Sequence, residues 1–113
     1  MWDEADHAAL DSYQDDARLR SWNAWGWVDT RDVAQACRLA LTAEVSGADV
    51  FVIAAADTVM TRSSHDLVTE VFPDVPIRGE LTGRETLLSI EKARRVLGYE
   101  PDHSLAERLG PIG

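Results

Sequence analysis

The sequence predicts an α/β fold with few short strands and about three to four helices. Three observations predict it. Val50-Phe51-Val52-Ile53-Ala54-Ala55-Ala56 is a continuous apolar run; continuity, unlike alternation, means cover on both faces, as in a central parallel strand. Helical periodicity precedes this run at about 30–44 and follows it at about 63–72. A further helical stretch begins near Ser89 and stops at Gly98, with Pro101 beyond it. Helix, strand, helix, strand, helix is an α/β order.

Each element follows from its residues. Residues 1–16 carry Asp3, Glu4, Asp6, Asp11, Asp15 and Asp16 with no Lys or Arg, and read as a solvated arm or surface helix. Residues 1–20 are therefore an acidic N-terminal arm, and 21–113 form the remaining segment. Ser21 to Val28 is dense in Trp and reads as a loop entering a short strand. Asp29 is an N-cap, and Asp32 at N3 complements the positive helix end. The helix from Thr30 to Glu44 places Val33, Ala36, Cys37, Ala40 and Leu41 on one stripe, closed by Ser46-Gly47. The run near 50–55 is the central strand. The helix from Ser63 to Phe72 turns Leu67, Val68, Val71 and Phe72 inward. Pro73 and Pro76 bound a turn, and Val75 to Arg78 reads as a short strand. Gly79 to Gly83 is a loop. The helix after Ser89 turns Ile90, Ala93 and Leu97 inward, and a short helix follows Ser104. A strand covered on both faces belongs inside a sheet, and this chain offers few strands to flank it. Neighbours from outside the chain are implied.

Composition excludes several functions. With 113 residues, 45% hydrophobic and 27% charged, the chain has the balance of one soluble domain. Its net charge of −9 has the wrong sign for nucleic acid or an anionic membrane surface. No apolar run approaches the roughly 20 residues of a membrane span. The acidic start, Met1-Trp2-Asp3-Glu4, is unlike a signal or transit peptide, so a cytoplasmic location is expected. One cysteine, Cys37, rules out an intrachain disulfide and a Cys-rich zinc site. Its place on the apolar stripe predicts a buried, inert thiol.

No complete catalytic constellation is visible. The seven glycines lack the spacing of a dinucleotide-binding turn, and Gly79 and Gly83 lack the lysine of a phosphate loop. There is no Gly-x-Ser-x-Gly elbow. His7, His65 and His103 lack metal-type spacing, and Asp3, Glu4, Asp6 and His7 sit on an arm that does not hold ligands rigidly. Helix capping explains the pair Asp29 and Asp32. No metal is expected. Arg78 and Arg84 flank the glycine loop, where a guanidinium can clamp a phosphate or carboxylate. Trp22, Trp25 and Trp27 can line a pocket by stacking or pack within the protein. Arg78, Arg84, Trp25 and Trp27 are the candidate substrate-binding residues; none is a candidate catalytic or cofactor-binding residue.

Three stretches carry a family resemblance. Trp27-Val28-Asp29-Thr30-Arg31-Asp32-Val33-Ala34 is similar to a Tyr-Val-Asp-Val-Arg-Asp-Val-Ala segment, and Val50-Phe51-Val52-Ile53-Ala54 to a late strand reading Val-Phe-Asn-Ile-Gly. Ser89-Ile90-Glu91-Lys92-Ala93-Arg94-Arg95-Val96-Leu97-Gly98-Tyr99-Glu100-Pro101 resembles a closing Ser/Asp-x-x-Lys-Ala-x-x-x-Leu-Gly-Tyr-x-Pro. In this order they resemble the C-terminal, substrate-side part of the NAD-dependent epimerase/dehydratase family, the extended short-chain dehydrogenases. The resemblance spans roughly residues 20 to 105. It implies an incomplete Rossmann-type C-terminal portion, in which the run near 50–55 completes the nucleotide-binding sheet. Family members bind NAD(P) through their first half and act through a Tyr-x-x-x-Lys pair. That pair cannot exist here. The sole lysine is Lys92, with Leu88 four residues before it, and Tyr13 and Tyr99 are followed four residues on by Ala17 and His103. Sugar-nucleotide members hold an arginine shortly before the Tyr-Val-Asp segment; this sequence holds Trp25 there.

The resemblance thus implies a substrate-side fragment of an oxidoreductase, not competent alone. It implies no cofactor in this chain, with NAD or NADP expected only for a full-length parent. The partners implied are a missing N-terminal half and a small, sugar-type substrate. The alternative is a non-enzymatic interaction module that self-associates as a homo-oligomer, through the Trp cluster or the stripe of the 30–44 helix.

Overall fold

The structure, a computed structural model, describes residues 1–112. It is dominated by helices, and the α/β expectation is overturned. Five α-helices succeed one another: α1 (Glu4–Ala8), α2 (Thr30–Thr42), α3 (Ser64–Val71), α4 (Glu91–Leu97) and α5 (Ala106–Leu109). Short 3-10 turns lie at Leu10–Tyr13 and Ser21–Asn23. Among the described residues there is no sheet, only two isolated bridges, Trp2 with Asp29 and Asp57 with Glu85.

The missing strands have a physical reason. A continuous apolar run reports burial, whereas a strand requires a repeating ladder with a neighbour. Residues 50–56 lie beside the Trp25–Trp27 and 84–86 segments, yet the ladder never repeats. Ala55 N–H donates to Trp27 O at 2.8 Å, Thr86 N–H to Ala56 O at 2.9 Å and Val59 N–H to Trp25 O at 3.0 Å. The run near 50–55 is thus irregular chain with sparse ties. It does not complete a sheet, and no Rossmann-type portion is present. The strand expected at Val75–Arg78 is also absent. Its residues are exposed, and Pro76 removes a ladder donor from its middle. The Trp-rich stretch forms a turn instead of a strand. Ala24 and Trp25 adopt left-handed backbone, φ 54° and 57°, a conformation costing roughly 1–2 kcal/mol per non-glycine residue. The turn is held by burying Trp25, whose Nε1 donates to Ala17 O at 2.6 Å.

The helices lie close to their expected ranges. Asp29 caps α2 by accepting from Arg31 N–H, and Ser63 caps α3 by accepting from Asp66 N–H. Gly98, at φ 74°, ends α4 in the left-handed conformation that favours glycine. Two core clusters hold the elements. The first joins Trp2, Leu10, Ala17, Trp25, Trp27, Ala55, Val59, Met60, Leu67, Val68 and Leu105. The acidic arm therefore enters the core through Trp2 and Leu10 while its charges stay outside. The second joins Ala36, Ala54, Ile90, Ala93, Leu97 and Tyr99, with Leu39, Ala43, Phe51 and Ile53 against it.

The buried face of α2 differs from the expected stripe. Asp32, Ala36, Leu39 and Ala43 face inward, while Cys37, Ala40 and Leu41 are exposed. The Cys37 thiol is therefore not buried. The reason lies in Asp32: its carboxylate accepts from Asp102 N–H, His103 N–H and His103 Nδ1, and these contacts turn its side of the helix inward. Val71 is half-buried and Phe72 sits at the surface.

Urea denaturation checks this rotation. Leu67→Ala removes a fully buried side chain and is expected to cost about 2–5 kcal/mol. Leu41→Ala, at a position 86% exposed, is expected to stay within about 0.5 kcal/mol. Equal losses would place Leu41 in the core.

Candidate functional site

An open groove of about 720 Å3 falls within the roughly 300–1,000 Å3 range of small-molecule sites. One wall comes from α3 and the chain after it, with Val68, Phe72, Val75, Ile77 and Arg78. The other comes from residues 85–91 and α4, with Leu87, Leu88, Ile90, Glu91 and Arg94.

Local sequence builds these walls. Pro73 and Pro76 restrain the chain leaving α3, and Gly79 and Gly83, at φ 81° and 55°, turn it back. Buried Ser64 clamps the base: its N–H donates to Gly83 O at 2.8 Å and its hydroxyl to Glu85 O. The Phe72 ring meets Trp25 edge-on, centroids 5.8 Å apart.

The groove is apolar with charged borders. Arg94 is engaged with Glu100 at 3.0 Å. Arg78 is exposed and makes no ion pair among the described residues. The lining holds no His, Cys, Tyr or Lys, and Glu85 and Glu91 are its only carboxylates. This chemistry suits binding an amphiphilic ligand whose anionic group meets Arg78.

The other expected site residues lie elsewhere. Arg84 is outside the groove lining, and its Nη1 is buried without a partner. Trp25 and Trp27 belong to the first core cluster, and Trp27 Nε1 donates to Asp57 at 3.0 Å. The structure therefore does not bring the four together. Sequence reasoning missed Phe72, Ile77 and Leu87 as lining, because a groove wall and a core face share one apolar pattern. It also missed Asp57, whose carboxylate accepts from Trp27, Ser104 and Leu105. No sequence signal separates such a carboxylate from a surface one.

Tyr99 and Asp29 act as structural ties. Tyr99 donates its hydroxyl to Ala54 O at 2.9 Å, and burial pushes its pKa up to about 12. Asp29 accepts from Arg31 Nε at 2.8 Å, Arg31 Nη2 at 2.9 Å and His7 Nε2 at 3.0 Å. The Arg31 side chain holds its carboxyl well below the usual carboxylate range. Among the described residues no group of His, Cys, Asp and Glu is arranged to hold a metal ion, and no helix is long and apolar enough to cross a membrane. No protein-family model, curated protein or solved structure matches the chain.

Two measurements check the site. Because the folded-state pKa of Asp29 is depressed, its stabilisation is present above the ordinary value of 3.8 and lost as pH falls below it. Asp29→Asn is expected to be less stable at neutral pH and to lose less stability than the parent between pH ~5 and pH ~2; parallel acid profiles would remove Asp29 from that role. Anilinonaphthalene sulfonate, an aromatic body with one anionic group, probes the groove by fluorescence titration. Arg78→Ala is expected to weaken it about fivefold, corresponding to about 1 kcal/mol for an exposed charge contact. Unchanged affinity would place the anion away from Arg78.

Proposed function

We propose that this chain is the substrate-side segment of an NAD-dependent epimerase/dehydratase-like oxidoreductase, not catalytically competent alone. One observation carries the reading: the second and third stretches that resemble the family share a core cluster with residues that directly follow the first. Ala36, next to the first stretch, Ala54 of the second, and Ala93, Leu97 and Tyr99 of the third share one core cluster. Asp32 binds the chain just past the closing motif, Tyr99 reaches Ala54 O, and Gln35 exchanges two hydrogen bonds with the Glu100 backbone. Residues that form one motif by sequence are joined by side-chain chemistry in space.

The absence of a Tyr-x-x-x-Lys pair supports the second half of the proposal. The cofactor, NAD or NADP, and the catalytic pair belong to a missing N-terminal half. In this reading the groove receives part of a small sugar-type substrate, with Arg78 toward its anionic group. A cytoplasmic location is part of the same proposal.

A second reading, a self-associating interaction module, is favoured by a different observation. Leu41, Val45, Val50 and Val52 are exposed at 86, 41, 80 and 48%. Of the Trp cluster, Trp25 and Trp27 are buried and Trp22 is exposed.

Isothermal titration calorimetry separates a fragment from a complete enzyme. The chain alone is expected to give no binding heat with NAD or NADP up to about 1 mM, a free energy weaker than about −4 kcal/mol. Micromolar binding of either would refute the proposal.

A further inference from the structure

We propose that the cleft beside Trp22 binds a small molecule built on one aromatic ring that carries a carboxylate and a hydroxyl or amino group. The inference does not rest on the family reading. The cleft, about 260 Å3, is smaller than the roughly 300–1,000 Å3 of drug-sized sites, so its ligand is correspondingly small. Trp2, Trp22, Trp27, Ile53 and Leu88 supply its apolar walls. Three indoles around one space favour a planar aromatic guest, by stacked or edge-to-face contact. Trp22 is 76% exposed, yet its ring is braced. The Arg20 guanidinium lies 5.3 Å from its centroid, and 5.0 and 5.9 Å from those of Tyr13 and Trp2. The exposed indole is thus held in place ahead of binding, which lowers the ordering cost of a ligand.

Polar groups select the substituents. Among the described residues, three buried side-chain N or O atoms lack a hydrogen-bond partner, and two of them, Arg20 Nε and Asn23 Oδ1, belong to residues lining this cleft. Groups left unpaired in this way are costly. Ring faces meet the charge of Arg20 but offer no oxygen to its N–H groups, and Arg20 has no ion pair among the described residues. The chain carries 20 acidic residues, yet none lines this cleft. Within it, no carboxylate of the chain competes for the guanidinium or repels an anion. A ligand carboxylate matches the guanidinium fork. Asn23 Oδ1 is an acceptor, and it calls for an O–H or N–H on the same ligand.

A ligand-observed NMR titration with the three hydroxybenzoate isomers tests it. At least one isomer is expected to bind the parent chain with a Kd of about 1 mM or tighter, the range of a fragment-sized ligand. Phenol, which lacks the carboxylate, is expected to bind about tenfold more weakly, and Arg20→Ala is expected to weaken the best isomer by about the same factor. Benzoate, which lacks the hydroxyl, is expected to bind more weakly than the best isomer. Trp22→Ala, at an exposed position, leaves the core untouched and is expected to weaken binding about fivefold. Arg38→Ala removes an equal charge from the exposed side of α2 and is expected to bind like the parent. No binding by any isomer, phenol or benzoate as tight as the best isomer, parent-like affinity in Arg20→Ala or Trp22→Ala, or an equal loss in Arg38→Ala would each overturn the proposal. None of these outcomes bears on NAD or NADP binding, which stands or falls by calorimetry.

Discussion

Every backbone N–H and C=O needs a partner, in the protein or in water, and this constraint governs the chain around Val50 to Ala54. Its side chains ask for burial, yet the fold covers only one side of it. Phe51 and Ile53 rest on α2 and α4, while Val50 and Val52 remain open. Lys92 and Tyr99 hold the two ends by their carbonyls. The Cα radius of gyration, 14.9 Å, exceeds the roughly 13 Å of a compact chain near this length. The molecule is correspondingly more open than a self-contained domain.

Around that edge, cohesion comes from side chains that reach across irregular backbone. Asp32, Asp57, Ser64, Gln14 and Gln35 each tie segments far apart in sequence. In a regular α/β domain a sheet ladder does this work. Here carboxylates, amides and one hydroxyl substitute for it, and the two apolar clusters fill the space they define. The open groove follows from the same arrangement: Ser64 fixes its base, and the prolines after α3 keep its outer wall extended.

The helices were legible in the sequence because their signals are local. Asp29 as a cap, Gly98 as terminator, and Ile90, Ala93 and Leu97 as an inner face all act within a few residues. The strands were misread because pairing is not local. The run at 50–56 reports burial, and Ala54 and Ala55 are buried, but no sequence feature supplies the ladder. The face of α2 was misread for a related reason: Asp32 is polar, so an apolar stripe omits it, while its bonds to residues 102–103 decide which side turns inward. Of the site, Arg78 was legible as an arginine beside a glycine loop and lines the groove; the apolar walls were hidden among core-like residues.

The central claim, that the backbone at 51–53 is left unpaired by this chain, is tested most directly by amide hydrogen exchange at low protein concentration. The amides of Phe51, Val52 and Ile53 are expected to exchange at near-unprotected rates, while those of Ala55 and Thr86, bonded to Trp27 O and Ala56 O, are slowed by the local stability that holds them. Equal protection across 51–55 in dilute, monomeric protein would contradict the claim, because it would mean that the chain closes its own edge.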